Sequence, residues 1–75
     1  MKPKSTNHIG QKITDARKRA GYSRRKLMLL LRVRGIDITE ATIRNWESGM
    51  TMPPANSLYA ISQELAVGIG NFFVS

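Results

Sequence analysis

The sequence predicts a compact all-α bundle, and three observations lead to that prediction. Apolar residues recur at helical spacing, as Ile9, Ile13 and Ala16 do in the first such segment. Glycine or proline separates one such segment from the next. No stretch alternates between apolar and polar residues over a useful length, which argues against strands. With 75 residues, 41% of them hydrophobic, the chain has material for one small domain with a single core.

Start and stop signals bound five predicted helices, because Ser, Thr and Asn favour N-caps and glycine favours helix ends. Helix 1 covers about 9–20 and is capped by Thr6 or Asn7, and helix 2 follows the cap Ser23 and ends at Gly35. Helix 3 lies between the cap Thr39 and Gly49. Helix 4 follows Pro53-Pro54, and a short helix 5 covers about 68–73. Residues 1–8 are predicted to form a basic, flexible arm, and 9–75 the domain. The expected core includes Leu27, Met28, Leu31, Ile43, Trp46, Leu58, Tyr59, Ile61, Leu65, Phe72 and Phe73.

Charge is unevenly distributed along the chain. The formal net charge is +7, with a pI of about 10.6. All twelve Lys and Arg residues and three of the five acidic residues lie before position 45, so residues 1–44 carry +9 and the remainder −2. A basic half joined to a nearly uncharged, apolar half predicts one face for a polyanion such as nucleic acid and another for the core or a partner. The alternative is a basic surface that serves only solubility.

Several function classes are disfavoured by the residues themselves. The chain has no cysteine, hence no disulfide, thiolate nucleophile or Cys-based zinc site. The sole histidine, His8, has no clear partner acid or nucleophile, so we expect no enzyme, no metal and no cofactor. The longest apolar run, 27–31, is too short to cross a bilayer, and no signal peptide opens the chain, so we expect a cytoplasmic, nucleoid-associated protein with no membrane partner.

A motif in the third predicted helix is specific enough to suggest a family. Thr42-Ile43 is followed by Trp46-Glu47-Ser48-Gly49, with Pro53 four residues later, and Arg17 and Gly21-Tyr22-Ser23 precede it at a suitable distance. The chain resembles the Cro/CI-type (XRE) helix-turn-helix family over about 9–73. The resemblance implies a five-helix, lambda-repressor-like domain in which helix 2 crosses the DNA backbone and residues 39–48 enter the major groove.

Two departures from the family pattern are visible. Arg24 stands where the family usually has Gln, and the segment from Leu27 to Glu47 is about five residues longer than the commonest spacing, which resembles a longer-turn variant of the same family. The extra length lies within 32–38. It either covers Leu29 and Leu30 or leaves them as an exposed patch for dimerisation.

The candidate base-reading residues lie on helix 3. With Ile43 and Trp46 turned inward, the exposed side holds Glu40, Ala41, Arg44 and Asn45, which are also the positions where the family reads bases. Arg44 suits guanine, Asn45 adenine, Ala41 a thymine methyl and Glu40 a cytosine amine. The alternatives are a phosphate contact for Arg44 and stabilisation of the helix dipole for Glu40.

Candidate phosphate-binding residues surround that helix. Three cations lie in the first turn of helix 2, at the positive end of the helix dipole, which is unfavourable unless an anion binds there. The alternative to an anion site is a solvated cluster of charges. The predicted phosphate contacts are Arg24, Arg25, Lys26, Thr42 and Ser48, the last of them followed by Met50 and Thr51 in a loop that the family brings near phosphate. Lys2 and Lys4 in the arm either track the phosphates or a groove of the DNA or belong to a disordered tail or a cloning remnant.

Other roles are structural or concern partners. The resemblance implies a partly buried ion pair between Arg17 and Glu47. We expect a transcriptional regulator, a repressor of bacterial or phage type, that binds a palindromic operator in double-stranded DNA as a homodimer. The expected dimer surface is Val67, Ile69, Phe72, Phe73 and Val74. The alternatives are an antitoxin or other protein-interaction module, whose partner would be a toxin, and a non-specific nucleic-acid binder.

Overall fold

The computed structural model describes residues 8–73 as four α-helices followed by a short 3₁₀ helix. The α-helices are α1 (His8–Ala20), α2 (Arg24–Val33), α3 (Glu40–Ser48) and α4 (Ala55–Glu64), and the 3₁₀ helix is Ile69–Phe73. No strand occurs within 8–73, so the all-α prediction is confirmed there. The prediction of five helices holds for four, since the last segment is a 3₁₀ turn and not an α-helix. The predicted arm, apart from His8, lies outside the described residues, as does Val74.

Local hydrogen bonds set the helix ends. Ser23 Oγ accepts from the N–H of Lys26 at 3.0 Å, and Thr39 Oγ1 accepts from the N–H of Thr42 at 3.2 Å, so both predicted N-caps are present. Gly49 ends α3 with a φ of 86°. Helix α2 ends at Val33, two residues before the predicted Gly35, because its last turn closes through Gly35 in a left-handed conformation.

One core joins all these elements. Its fully buried side chains are Ile13, Leu27, Leu31, Ile43, Ile61 and Phe72. Phe72 is 1% exposed, so it belongs to the core and not to the predicted dimer surface. Tyr59 and Phe73 are 56% and 65% exposed, and the prediction that they are core residues is wrong. Leu58 and Ile61 occupy the inner face of α4, and Leu65 is buried at its C-cap, which turns Tyr59 outward.

The long connection between α2 and α3 is held against the end of α2. Arg32 Nε donates to the carbonyl of Ile38 at 2.9 Å, and the N–H of Ile36 donates to the carbonyl of Leu31 at 3.0 Å. Ile38 is thereby buried, whereas Leu29 and Val33 are 44% and 86% exposed. Of the two alternatives, the one in which this connection covers Leu29 is not found, because both bonds hold the connection at the last turn of the helix. Leu30 is half-buried.

Helix α1 crosses the end of α3 at van der Waals contact. A Cβ atom added at Gly10 would lie 2.4 Å from the carbonyl oxygen of Trp46 and 2.6 Å from that of Glu47. Both neighbours are backbone atoms, so a side chain there has no room. The glycine lets the two helices approach closely enough for α1 side chains to reach Glu47. Within 8–73, no helix is both long enough and apolar enough to traverse a bilayer.

Candidate nucleic-acid interface

Helix α3 has a buried side and an outward side. Ile43, Trp46 and Glu47 are buried, whereas Ala41 and Arg44 are exposed. Glu40 and Asn45 are half-buried beside them. The structure therefore brings the four candidate base-reading residues onto one side of α3, here called the recognition face: Glu40, Ala41, Arg44 and Asn45.

An open cleft lies beside the recognition face, where the end of α1 meets the first turns of α2 and α3. Its volume is about 470 Å³, and its lining residues are Arg17, Lys18, Ser23, Arg24, Arg25, Glu40 and Arg44. Five of these side chains are cationic and only Glu40 is acidic. Charges of one sign lining a concave surface reinforce one another, so this cationic cleft attracts anions. Two candidate phosphate ligands, Arg24 and Arg25, and two residues of the recognition face share its wall.

Arg17 and Glu47 meet in the interior beneath the cleft. Arg17 Nε donates to Glu47 Oε2 at 2.7 Å and Arg17 Nη2 to Glu47 Oε1 at 3.2 Å. The remaining Arg17 nitrogen, Nη1, donates to the carbonyl of Tyr22 at 2.9 Å. Because all three nitrogens are bound within the protein, Arg17 has little capacity left for a ligand. The structure thus brings together the two residues for which the sequence implied an ion pair.

Arg24 also binds Glu47, a contact that the sequence analysis did not anticipate. Arg24 Nε donates to Glu47 Oε1 at 3.0 Å, although the Arg24 side chain is 42% exposed. Burial raises the pKa of the Glu47 carboxyl, but the hydrogen bonds from Arg17 and Arg24, the Arg17 charge and the Thr14 hydroxyl outweigh burial and hold that pKa below its ordinary value. Glu47 is therefore an anion at neutral pH, shared by two arginines.

The other candidate phosphate ligands differ in how they are held. Arg25 is exposed, and Lys26 Nζ lies 5.6 Å from the centroid of the Tyr22 ring, within cation–π range. The Thr42 hydroxyl is 3.1 Å from that of Thr39. Ser48 Oγ donates to the carbonyl of Asn45 at 3.1 Å and accepts from the N–H of Met50 at 3.4 Å, so it also closes the end of α3.

Four candidate residues remain, two in the loop after α3 and two in the predicted arm. Met50 and Thr51 are exposed in the loop after α3, and Lys2 and Lys4 lie outside the described residues. Within the described part of the chain, no group of three or more His, Asp or Glu residues is arranged to hold a metal ion.

A helix with an exposed side, beside a cationic cleft at the start of the preceding helix, is the arrangement typical of DNA-binding helix-turn-helix domains. The family model described as helix-turn-helix matches residues 13–72, which is most of the chain. The chain belongs to this family, in its XRE, or Cro/CI-type, form. Comparisons with curated proteins and with solved structures found no match.

Proposed function

We propose that the chain is a sequence-specific, nucleoid-associated transcriptional repressor. In this proposal, α3 enters the major groove of double-stranded DNA. The observation that carries the proposal is the position of the recognition face, which adjoins the cationic cleft and shares Glu40 and Arg44 with it. A cleft that attracts phosphate would hold the backbone beside the groove that α3 enters. The two surfaces would then bind one duplex together.

The recognition face supplies chemically distinct groups for base edges. The exposed Arg44 guanidinium fits the O6 and N7 acceptors of guanine, and the Asn45 amide fits adenine. Ala41 is small and exposed, which suits contact with a thymine methyl. Glu40 accepts from a cytosine amine and repels misplaced phosphate, so it adds discrimination. We assign sequence preference to these four side chains.

Phosphate binding is assigned to the start of α2 and to two hydroxyls of α3. Arg24 and Arg25 line the cleft, and the first turn of α2 has backbone N–H groups without intrahelical acceptors. Lys26, Thr42 and Ser48 complete the set that we propose. These contacts hold the protein on the duplex and carry no sequence information themselves.

Dimerisation would match a palindromic operator with half-sites about 34 Å apart, or a multiple of that distance. The exposed apolar residues at the C-terminal end, Ile69 and Phe73, support a self-contact there, with the half-buried Val67 beside them. Phe72 supports that surface from inside the core.

Selection from a randomised pool of duplex DNA at physiological salt tests the proposal. A specific regulator enriches a palindromic sequence, because each mismatched base pair costs about 1–3 kcal/mol. If no sequence is enriched and every duplex is bound tightly and in a salt-sensitive way, the protein is a non-specific nucleic-acid binder and the proposal is wrong. A folded protein that binds no duplex would favour a protein partner such as a toxin.

A further inference from the structure

Arg24 faces both the protein interior and the cationic cleft. Its Nε atom donates to Glu47 Oε1 at 3.0 Å, yet the side chain remains 42% exposed and lines the cleft. A guanidinium carries five N–H donors in one plane, so the Nε bond leaves the two terminal nitrogens for another acceptor. One arginine can therefore bind the carboxylate and an external anion at the same time.

Glu47 is a rigid anchor for this arginine. Its side chain is 3% exposed and accepts from Arg17 at 2.7 Å and 3.2 Å. Arg17 is itself held by the carbonyl of Tyr22. These bonds connect α1, the end of α3 and the start of α2, so the Arg24 guanidinium is aligned before any ligand arrives.

The charge of this cluster also favours an external anion. Arg17 and Glu47 neutralise each other in the interior, and the charge of Arg24 remains at its exposed end. Lys18 and Arg25 line the same cleft. A phosphate oxygen that reached the terminal nitrogens of Arg24 would form charge-assisted hydrogen bonds with little loss of side-chain freedom.

We propose that Glu47 is a positioning residue for DNA binding, which holds Arg24 so that its terminal nitrogens bind a backbone phosphate. The inference rests on the proposed DNA-binding function. Its specific content is that geometry at position 24 matters in addition to charge. A lysine there would supply the charge, but one ammonium group cannot present a planar pair of donors to phosphate while it also binds Glu47.

Matched substitutions at positions 24 and 25 test the inference, because Arg25 lines the same cleft without a carboxylate partner among the described residues. The variants are Arg24→Ala, Arg24→Lys, Arg25→Ala and Arg25→Lys. Each is titrated into a fluorescein-labelled duplex enriched from the random pool and into a scrambled duplex, over a series of salt concentrations.

Arg24→Ala is expected to lower affinity for both duplexes about tenfold, as the loss of a charge-assisted hydrogen bond does. We expect Arg24→Lys to stay about fivefold weaker than the parent while keeping its salt dependence, because the charge is retained and the paired donors are not. Arg25→Lys should recover most of the affinity that Arg25→Ala loses, because a phosphate contact without a carboxylate partner needs only the charge. If lysine restores affinity equally at both positions, the inference is overturned.

Glu47→Gln provides a second test of the inference, with circular dichroism to establish that the variant is folded. If Glu47 acts through Arg24, Glu47→Gln weakens DNA binding in the parent and has little further effect in an Arg24→Ala background. Equal losses in both backgrounds would overturn the inference. If Glu47→Gln does not fold, the lysine comparison alone decides. A parent protein that binds neither duplex would instead refute the proposed function.

Discussion

Arg17 and Glu47 are joined by two hydrogen bonds across 30 residues of sequence, and their side chains are only 9% and 3% exposed. The pair ties α1 to the end of α3, the helix that carries the recognition face. Burial of both charges makes the pair costly to break, since a lone charge in this position is poorly solvated. The orientation of α3 therefore depends on an interaction beneath its recognition face.

Arg17→Ala is expected to lower the free energy of unfolding by about 3 kcal/mol, because Glu47 would lose its bidentate partner in the interior. Urea denaturation measures the change. Arg34→Ala is the matched control: Arg34 pairs with Glu64 at a more exposed position, so its loss should cost less than about 1 kcal/mol. Equal losses in the two variants would show that burial does not strengthen the Arg17–Glu47 pair.

Stability should fall in acid through Glu47. Its pKa in the folded protein lies below the ordinary value, so the unfolded chain takes up the proton more readily. The contribution is complete above the unfolded-state pKa of about 4.3 and is lost as the pH falls through the folded-state pKa. Thermal unfolding of the parent and of Glu47→Gln measures this contribution. The difference in stability between the two proteins should shrink below about pH 4.5. A constant difference from neutral pH to acid would contradict the assignment.

Gly10→Ala should destabilise the domain. Alanine normally favours a helix over glycine by about 1 kcal/mol, but the new Cβ would meet the carbonyl oxygens of Trp46 and Glu47. We expect a net loss of about 1–3 kcal/mol, as for other overpacked sites, measured by urea denaturation. Gly70→Ala is the control, with no atom within 4 Å of the added Cβ. Greater stability of Gly10→Ala would mean that α1 and α3 lie farther apart.

Arg44→Ala and Arg25→Ala should affect DNA binding differently. Loss of Arg44 from the recognition face should relax preference at one base position, at a cost of about 1–3 kcal/mol for the preferred base. Loss of Arg25 should weaken all duplexes alike and reduce the salt dependence by about one counterion. Binding of each variant to a panel of single-base operator changes separates the two effects. Identical profiles would contradict the division between base and phosphate contacts.

Phe73→Asp should dissociate the proposed dimer. Phe73 is 65% exposed and is not part of the buried core, so the substitution should leave the monomer folded. Sedimentation velocity measures the association state, free and with operator DNA. Val33→Asp is the matched control, at an exposed apolar residue of α2. Dissociation by Val33→Asp alone would indicate that the dimer surface lies on α2. A parent protein that is monomeric both free and with operator DNA would contradict the proposed dimer.

The sequence by itself predicts the helical class and the helix boundaries at Ser23, Thr39 and Gly49. These features are local, because a cap is a hydrogen bond between residues two or three positions apart and a helical apolar stripe repeats within one segment. The recognition face followed from the same periodicity, since burial of Ile43 and Trp46 leaves their opposite side outward. The Thr-Ile to Trp-Glu spacing indicated the family, whose model matches 13–72.

Only the tertiary structure decided which distant groups meet. Arg24 lies 23 residues before Glu47, and its local position in the first turn of α2 gave no sign of a carboxylate partner. The close approach at Gly10 and the exposure of Leu29, Tyr59 and Phe73 were likewise set by how helices cross. The physical reason is that periodicity orients a side chain about its own helix axis, whereas packing between helices determines what it faces.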